Sequence, residues 1–325
     1  MSTFLRSNLF RLLLAGLSIA IASGASAAAY PEKPVRLIVP FAPGGGTDLV
    51  ARTLGTGLAR ELGQPVIIEN RPGAGTIIGS DTVAKSAPDG YTILVATFAH
   101  AVNPSLQPSL PYVTDKAFTP IILMSRGPNV LVVRRDSPYK SVKDVLAAAR
   151  ASPDKITYAS QGVGTSAHLA GEMLANLGKV RLTHVPYKGA GPALTDLLGG
   201  QVDLMFGTAA AVSTYIDSGR LRAIAVTSEA PSPSFKGVAT VAEAVPGYAV
   251  ESWYGLYAPA RTPPDVIAKL NAAAQKAARG PEFTKRMEQE GLMVAGGDPA
   301  ELDRYVRAEE ARWRRIVKEN NVQPD

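Results

Sequence analysis

Cysteine is absent from the 325-residue chain, which excludes disulfides, thiol chemistry and a lipid-bearing cysteine. Histidine is nearly as scarce, with only His100, His168 and His184. None of them stands in an H-x-H or H-E-x-x-H pair, so neither a metal site nor a cofactor is expected. No G-x-x-x-x-G-K-[ST] run occurs, which removes a P-loop, and no G-x-S-x-G elbow occurs either. The nearest approach to a nucleophile with its base is Gly164-Thr165-Ser166-Ala167-His168, whose Ser and His point in different directions from a predicted helix start. A secreted hydrolase using Ser166 stays open as an alternative, because triads are recognised by geometry rather than spacing. Charge of one sign is not concentrated anywhere: the net charge is +6, with Lys and Arg scattered. Nucleic acid is therefore not an expected partner.

Long apolar runs are also missing beyond the N-terminus. There, Arg6 and Arg11 precede a short apolar core from Leu12 to Ile21, and Ala25-Ser26-Ala27 supplies a small-residue cleavage site. The pattern is that of a secretory signal peptide over 1–27, too short for a membrane span. Cleavage after Ala27 would leave 298 residues of net charge +4, enough for two domains outside the cytoplasm.

Glycine loops between apolar runs are abundant. Val35-Arg36-Leu37-Ile38-Val39 reads as a strand, Pro40 to Asp48 with its Gly44-Gly45-Gly46 as a loop, and Val50, Leu54, Leu58 and Leu62 as a helix face. A helix opening from such a loop leaves free N–H groups and partial positive charge where an anion fits. Without β-carbons, the glycines let a ligand reach those amides. Strand, loop and helix recur with Val66–Asn70 followed by Arg71 to Gly79, and a third strand runs from Tyr91 to Thr97. Repetition of this kind implies parallel pairing with ligands at the carboxyl ends of the strands.

A Pro- and Ser-rich connection from Asn103 to Pro120 precedes two extended segments, Ile121-Ile122-Leu123-Met124 and Val130-Leu131-Val132-Val133. They mark a crossing into a second alternating set. Ser141 opens a helix there, and Gln161-Gly162-Val163-Gly164-Thr165-Ser166 repeats the opening loop with added hydroxyls. Lys188-Gly189-Ala190-Gly191-Pro192 opens a further helix. After a strand near Val250 to Tyr257 only helices are expected, returning to cover the first set. The expected fold is α/β with two lobes, residues 28–127 plus 251–325 and residues 128–250, each built on a mostly parallel sheet flanked by helices.

Pro40-Phe41-Ala42-Pro43-Gly44-Gly45-Gly46-Thr47-Asp48, Glu69-Asn70-Arg71-Pro72-Gly73-Ala74-Gly75, His184-Val185-Pro186-Tyr187-Lys188-Gly189 and Trp253-Tyr254-Gly255-Leu256-Tyr257 occur in that order along the chain. With them the chain resembles the substrate-binding receptors of tripartite tricarboxylate transporters, also called Bug proteins. The resemblance implies a periplasmic two-lobed binding fold of type II-like architecture, closing over a small organic carboxylate and delivering it to a membrane permease of two subunits. It also implies no catalysis and a monomer. Carried over, it makes Phe41 an apolar wall, Gly45, Gly46 and Thr47 donors, and Thr76 and Thr97 hydroxyl partners. In the second lobe Gly164, Thr165, Ser166 and Gly189 offer amides and hydroxyls, with His168 and Tyr187 closing over the ligand. Asp48 is read as a helix cap or a ligand contact. A sensor feeding a membrane signalling partner is equally compatible with these residues. Two departures, Phe98 and Gly207-Thr208-Ala209, are expected to make the far end of the pocket smaller and more apolar.

Overall fold

The β-branched and leucine-rich runs form strands β1 (Val35–Val39), β2 (Val66–Asn70) and β3 (Thr92–Thr97), paired in parallel in the order β2-β1-β3. The computed structural model describes residues 30–107, 109–319 and 322, and its described helices and strands lie in the body from Lys33 onward. The signal sequence expected over 1–27 lies outside the described residues. Among those described, no helix is long and apolar enough to cross a membrane.

Helix α1 (Gly46–Leu62) follows β1, buries Val50, Leu54, Leu58 and Leu62, and stops at Gly63 with φ of 67°. That left-handed stop is the role glycine takes at helix ends. Helix α2 (Ile77–Ala84) connects β2 to β3. Helix α3 (Phe98–Leu106) opens directly from β3, so part of the predicted connection is helical, with Pro104 inside it. A short helix, α4 (Thr114–Ala117), leads to β4.

Strand β4 (Phe118–Arg134) joins what read as two separate segments. Its first part pairs antiparallel with β9 (Glu251–Pro259), ending at Pro128 opposite Glu251. From Asn129 onward its partners are β7 (Leu204–Thr208) and β8 (Leu221–Val226). Gly127 and Pro128 do not break it because bonding passes from one partner to the next. Between β4 and β9 lie α5 (Val142–Ala151), β5 (Thr157–Ser160), α6 (Ser166–Gly178), β6 (Thr183–Pro186), α7 (Ala190–Gly199) and α8 (Ala209–Asp217). Strand β5 runs parallel to both β6 and β7. The sheet order is β2-β1-β3-β9-β4-β7-β5-β6, so the sheet is mixed: parallel at each end, antiparallel in the middle where the chain crosses twice.

After β9 the chain forms α9 (Pro264–Arg279), α10 (Pro281–Gln289), strand β10 (Met293–Gly296) and α11 (Pro299–Glu319). The expectation of helices alone is corrected by β10, which pairs antiparallel with β4. Four residues with Met293 exposed carry little strand signal; the long edge of β4 makes them one. Helices α9 and α11 do return to the first set, α9 onto α1 and α11 onto α3. The Phe98 and Trp313 rings meet edge to face at 4.8 Å in that second contact.

Candidate ligand-binding site

The turn after β1 is held from below by one carboxylate. Asp48 accepts hydrogen bonds from the Gly44 N–H (3.0 Å), from Arg52 Nε (2.9 Å) and from Asn70 Nδ2 (2.9 Å). Asn70 Nδ2 also reaches the Phe41 carbonyl at 3.0 Å. Burial raises the Asp48 pKa, but the bonds from Arg52, Gly44 and Asn70 outweigh it and hold the carboxyl below its ordinary range. Asp48 thus ties β1, α1 and β2 together, and it faces a surface hollow beside Arg52 and Glu282 rather than the cavity described next.

That cavity is lined by Phe41, Gly45, Gly46 and Thr47 after β1, Thr97 and Phe98 after β3, and Gln161, Thr165 and Ser166 after β5. Ala190, Thr208 and Ser252 complete it. The first residues of four helices, α1, α3, α6 and α7, and the cap residue of a fifth, α8, therefore meet at one place. Each helix start contributes N–H groups without intrahelical acceptors and a fraction of a positive charge. The lining contains no acidic, basic or imidazole side chain. Such a wall attracts a small anion through fixed dipoles and hydroxyls. Its volume is about 20 Å³, room for one water or a carboxylate-sized group.

A second, outer chamber of about 200 Å³ shares Phe41 and Gln161 with the first. It is bounded by Pro40, residues 73–76, Gly162, Val163 and residues 186–188. Around both spaces the two glycine-rich edges touch. The Ala42 N–H donates to the Lys188 carbonyl at 3.0 Å. A β-carbon at Gly45 would lie 3.3 Å from Ala190 Cβ, and one at Gly46 only 2.8 Å from Thr208 Oγ1.

Of the residues singled out in sequence, Phe41, Gly45, Gly46, Thr47, Thr97, Thr165 and Ser166 line the inner cavity, while Thr76 and Tyr187 line the outer one. The Tyr187 hydroxyl is committed to Asp196, donating at 2.7 Å; burial, and then that bond, push the phenol up to about 12. Asp48, Gly164, His168 and Gly189 are on neither wall. His168 is fully buried and its Nδ1 accepts the Gly164 N–H at 3.2 Å, fixing a turn in which Gly164 has φ of +77°. Gly189 precedes α7 and packs against Ala42.

Gln161 and Ser252 escaped the sequence reading as lining residues. Gln161 stands just beyond a strand end, the one signal that marks it, whereas Ser252 near the start of β9 has none. Thr208, expected to leave the far end more apolar, lines the inner cavity and brings a hydroxyl to it. The Phe98 ring packs on Trp313, leaving the helix start at the cavity.

Ser166 Oγ donates to Asn129 Oδ1 at 3.1 Å, an amide oxygen that cannot serve as a catalytic base. A different pair, Ser160 Oγ and His184 Nε2, stands 2.7 Å apart. Ser160 is fully buried, touches neither cavity, and accepts the Gly162 N–H at 3.1 Å, so the pair shapes the loop after β5. Among the described residues, no three His, Cys, Asp or Glu side chains gather to hold a metal ion.

Residues 50–322 match the family model described as tripartite tricarboxylate transporter family receptor. The chain belongs to that family. It is a periplasmic solute-binding receptor and not an enzyme. BugT of Bordetella pertussis is 37% identical over 322 residues, covering 97% of this chain and 99% of that protein. A protein of Pseudomonas sp. strain P51, encoded in the tcbD-tcbE intergenic region, is 40% identical over 95% of this chain and 94% of its own length. The solved structure of the periplasmic binding protein BugD superposes with a TM-score of 0.87 at 38% identity, over 90% of this chain and 99% of that one. R. palustris Rpa4515 with adipate gives 0.87 at 35% identity, over 91% and 100%. MatC of Rhodopseudomonas palustris with bound malate gives 0.85 at 35%, over 89% and 100%.

Proposed function

We propose that this receptor captures a small organic carboxylate in the inner cavity and delivers it to a two-subunit membrane permease of the tripartite tricarboxylate type. The observation that carries the reading is the meeting of five helix starts around a space with no acidic side chain on its wall. Adipate and malate, held by two similar receptors, support it. The Gly45, Gly46, Thr47 and Ser166 amides and the Thr47 and Thr97 hydroxyls hold the anion, Thr165 lines the space with its hydroxyl donated to the Gly162 carbonyl, and Phe41 walls it. Thr76 and Tyr187 border its outer side. Asp48, Gly164, His168 and Gly189 act one step away, by holding the loops in shape.

Residues 28–127 with 251–325 form one lobe and 128–250 the other, hinged where β4 leaves its pairing with β9 at Pro128, opposite Glu251 at the start of β9. Ligand favours the closed arrangement by its differential affinity for the two forms, and by no more than that. The receptor is a monomer, exported by a signal peptide cleaved after Ala27. A thermal-shift screen of mono-, di- and tricarboxylates on protein refolded from denaturant tests the reading. A ligand at about a hundred times its Kd adds about 2.7 kcal/mol to stability, a plain rise in Tm. No shift with any carboxylate would refute it.

A further inference from the structure

We propose that the inner cavity admits only the carboxylate of the ligand. The outer chamber then holds an apolar remainder about the size of a phenyl ring, so this receptor selects acids with apolar tails over short hydroxylated diacids. The inference rests on the carboxylate reading above and adds the chemistry of the rest of the molecule. Volume is the first ground. About 20 Å³ inside holds one water or one carboxylate-sized group, whereas a cavity of about 150 Å³ can hold benzene. The outer space, at about 200 Å³, is large enough for that remainder; the hollow beside Asp48, Arg52 and Glu282 also meets the inner wall, at Gly45, but its charged lining does not suit an apolar tail.

The second ground is the junction. Phe41 and Gln161 belong to both walls, and the Gln161 side chain is buried with its Nε2 lacking a hydrogen-bond partner. A buried amide donor without a partner is costly. A carboxylate seated at the inner side of this junction gives it an acceptor, and Phe41 beside it bears on the first carbons of the tail. The third ground is the wall beyond. Pro40, Ala74, Val163 and Pro186 surround the outer space together with Tyr187, whose hydroxyl is committed to Asp196. The polar side chains there besides Gln161 are Thr76 and the exposed Lys188. A single exposed ammonium in water gives a second carboxylate little. Each methylene removed from water gives a tail much more.

Calorimetry on refolded protein with acetate, succinate, malate, adipate, hexanoate and phenylacetate tests this. Hexanoate and phenylacetate are expected to bind at least about tenfold more tightly than acetate, succinate or malate. Ala74 is exposed with φ of 47°, a conformation that Asp and Asn tolerate. Ala74→Asp should weaken hexanoate and phenylacetate about tenfold and acetate much less, with Ala74→Asn, polar but uncharged, weakening the two tailed acids by a smaller factor. Succinate or malate binding as tightly as hexanoate would overturn the apolar remainder and leave the carboxylate receptor standing. Adipate exceeding hexanoate, with the advantage lost in Lys188→Met, would overturn it in the same way. If none of the six acids binds, the carboxylate reading itself has failed, and this inference with it.

Discussion

At Gly46 the backbone is ordinary helix, but a β-carbon there would stand 2.8 Å from Thr208 Oγ1 and 3.1 Å from the Ala211 nitrogen. Both neighbours come from the opposite side of the cavity, so a side chain at this position props the two edges apart without straining α1. Gly46→Val should therefore weaken ligand binding by about a hundredfold or more, with unliganded stability within about 1 kcal/mol of the parent. Calorimetry and urea unfolding, run side by side, check both halves of that statement. Gly164 is a poorer probe, because its φ of +77° makes any side chain strain the loop itself, besides bringing a β-carbon within 2.6 Å of Asn103 Oδ1 on the opposite side. That difference was invisible in sequence, where both are glycines beside a helix start. His100 is another residue whose environment no spacing revealed. It is buried between Phe118 and Tyr257, with ring centroids 5.1 Å and 4.6 Å away, and burial lowers its pKa to about 4. The folded state keeps it neutral while the unfolded chain protonates near pH 6.5, so stability is full above 6.5 and falls as the pH drops toward 4. The loss amounts to about 3 kcal/mol. Urea titrations at pH 7 and pH 4 should show His100→Phe losing less stability than the parent over that interval. An equal loss in both would place the acid sensitivity elsewhere.

Elements were legible where pattern and punctuation agreed. Helix α1, with apolar residues spaced by four and Gly63 behind it, falls where the sequence puts it. Ser141 caps α5 by accepting the Asp144 N–H at 3.2 Å, but Asp144 reaches back to the Lys140 N–H rather than completing the box at Ser141. Strand β4 was read as two because Gly127 and Pro128 look like a break, and only the change of partners across them keeps it whole. Strand β10 exists because β4 offers it an edge, a tertiary cause that four residues cannot announce. The glycine turn after β1 is the element on which the site depends, and Asp48 is its anchor. Removing the carboxylate strands the Gly44 N–H and frees Asn70 and Arg52, so Asp48→Ala should cost about 2 kcal/mol. Because its folded pKa lies below 3.8, the contribution is complete above that value and disappears as the pH falls through the folded pKa. Asp48→Asn should accordingly be most damaging at neutral pH and nearly silent at pH values well below 3.8, as thermal unfolding at several pH values would show. A cost independent of pH would mean that shape, not charge, anchors the turn.

On the scale of the whole molecule, two alternating sets of strands present their glycine turns to one another across a small space, and the chain passes between them only through β4 and β9. The absence of cysteine makes that arrangement directly testable. A β-carbon at Gly45 would stand 3.3 Å from Ala190 Cβ, close to the separation of about 3.5 to 4.5 Å that a disulfide spans. Gly45→Cys combined with Ala190→Cys should therefore cross-link spontaneously under mild oxidation, with no native thiol to compete. The bond would close a loop well beyond 100 residues and raise stability by up to about 5 kcal/mol through the unfolded state. More telling is its effect on exchange. If the edges must part for a carboxylate to enter, the oxidised double variant will neither admit added ligand nor release ligand trapped before oxidation, and reduction will restore both. Stopped-flow release measured before and after adding reductant reads this directly. Equal release rates in the two redox states would show that ligand reaches the cavity without the halves separating, and the proposed hinge at Pro128 would then have no part in uptake.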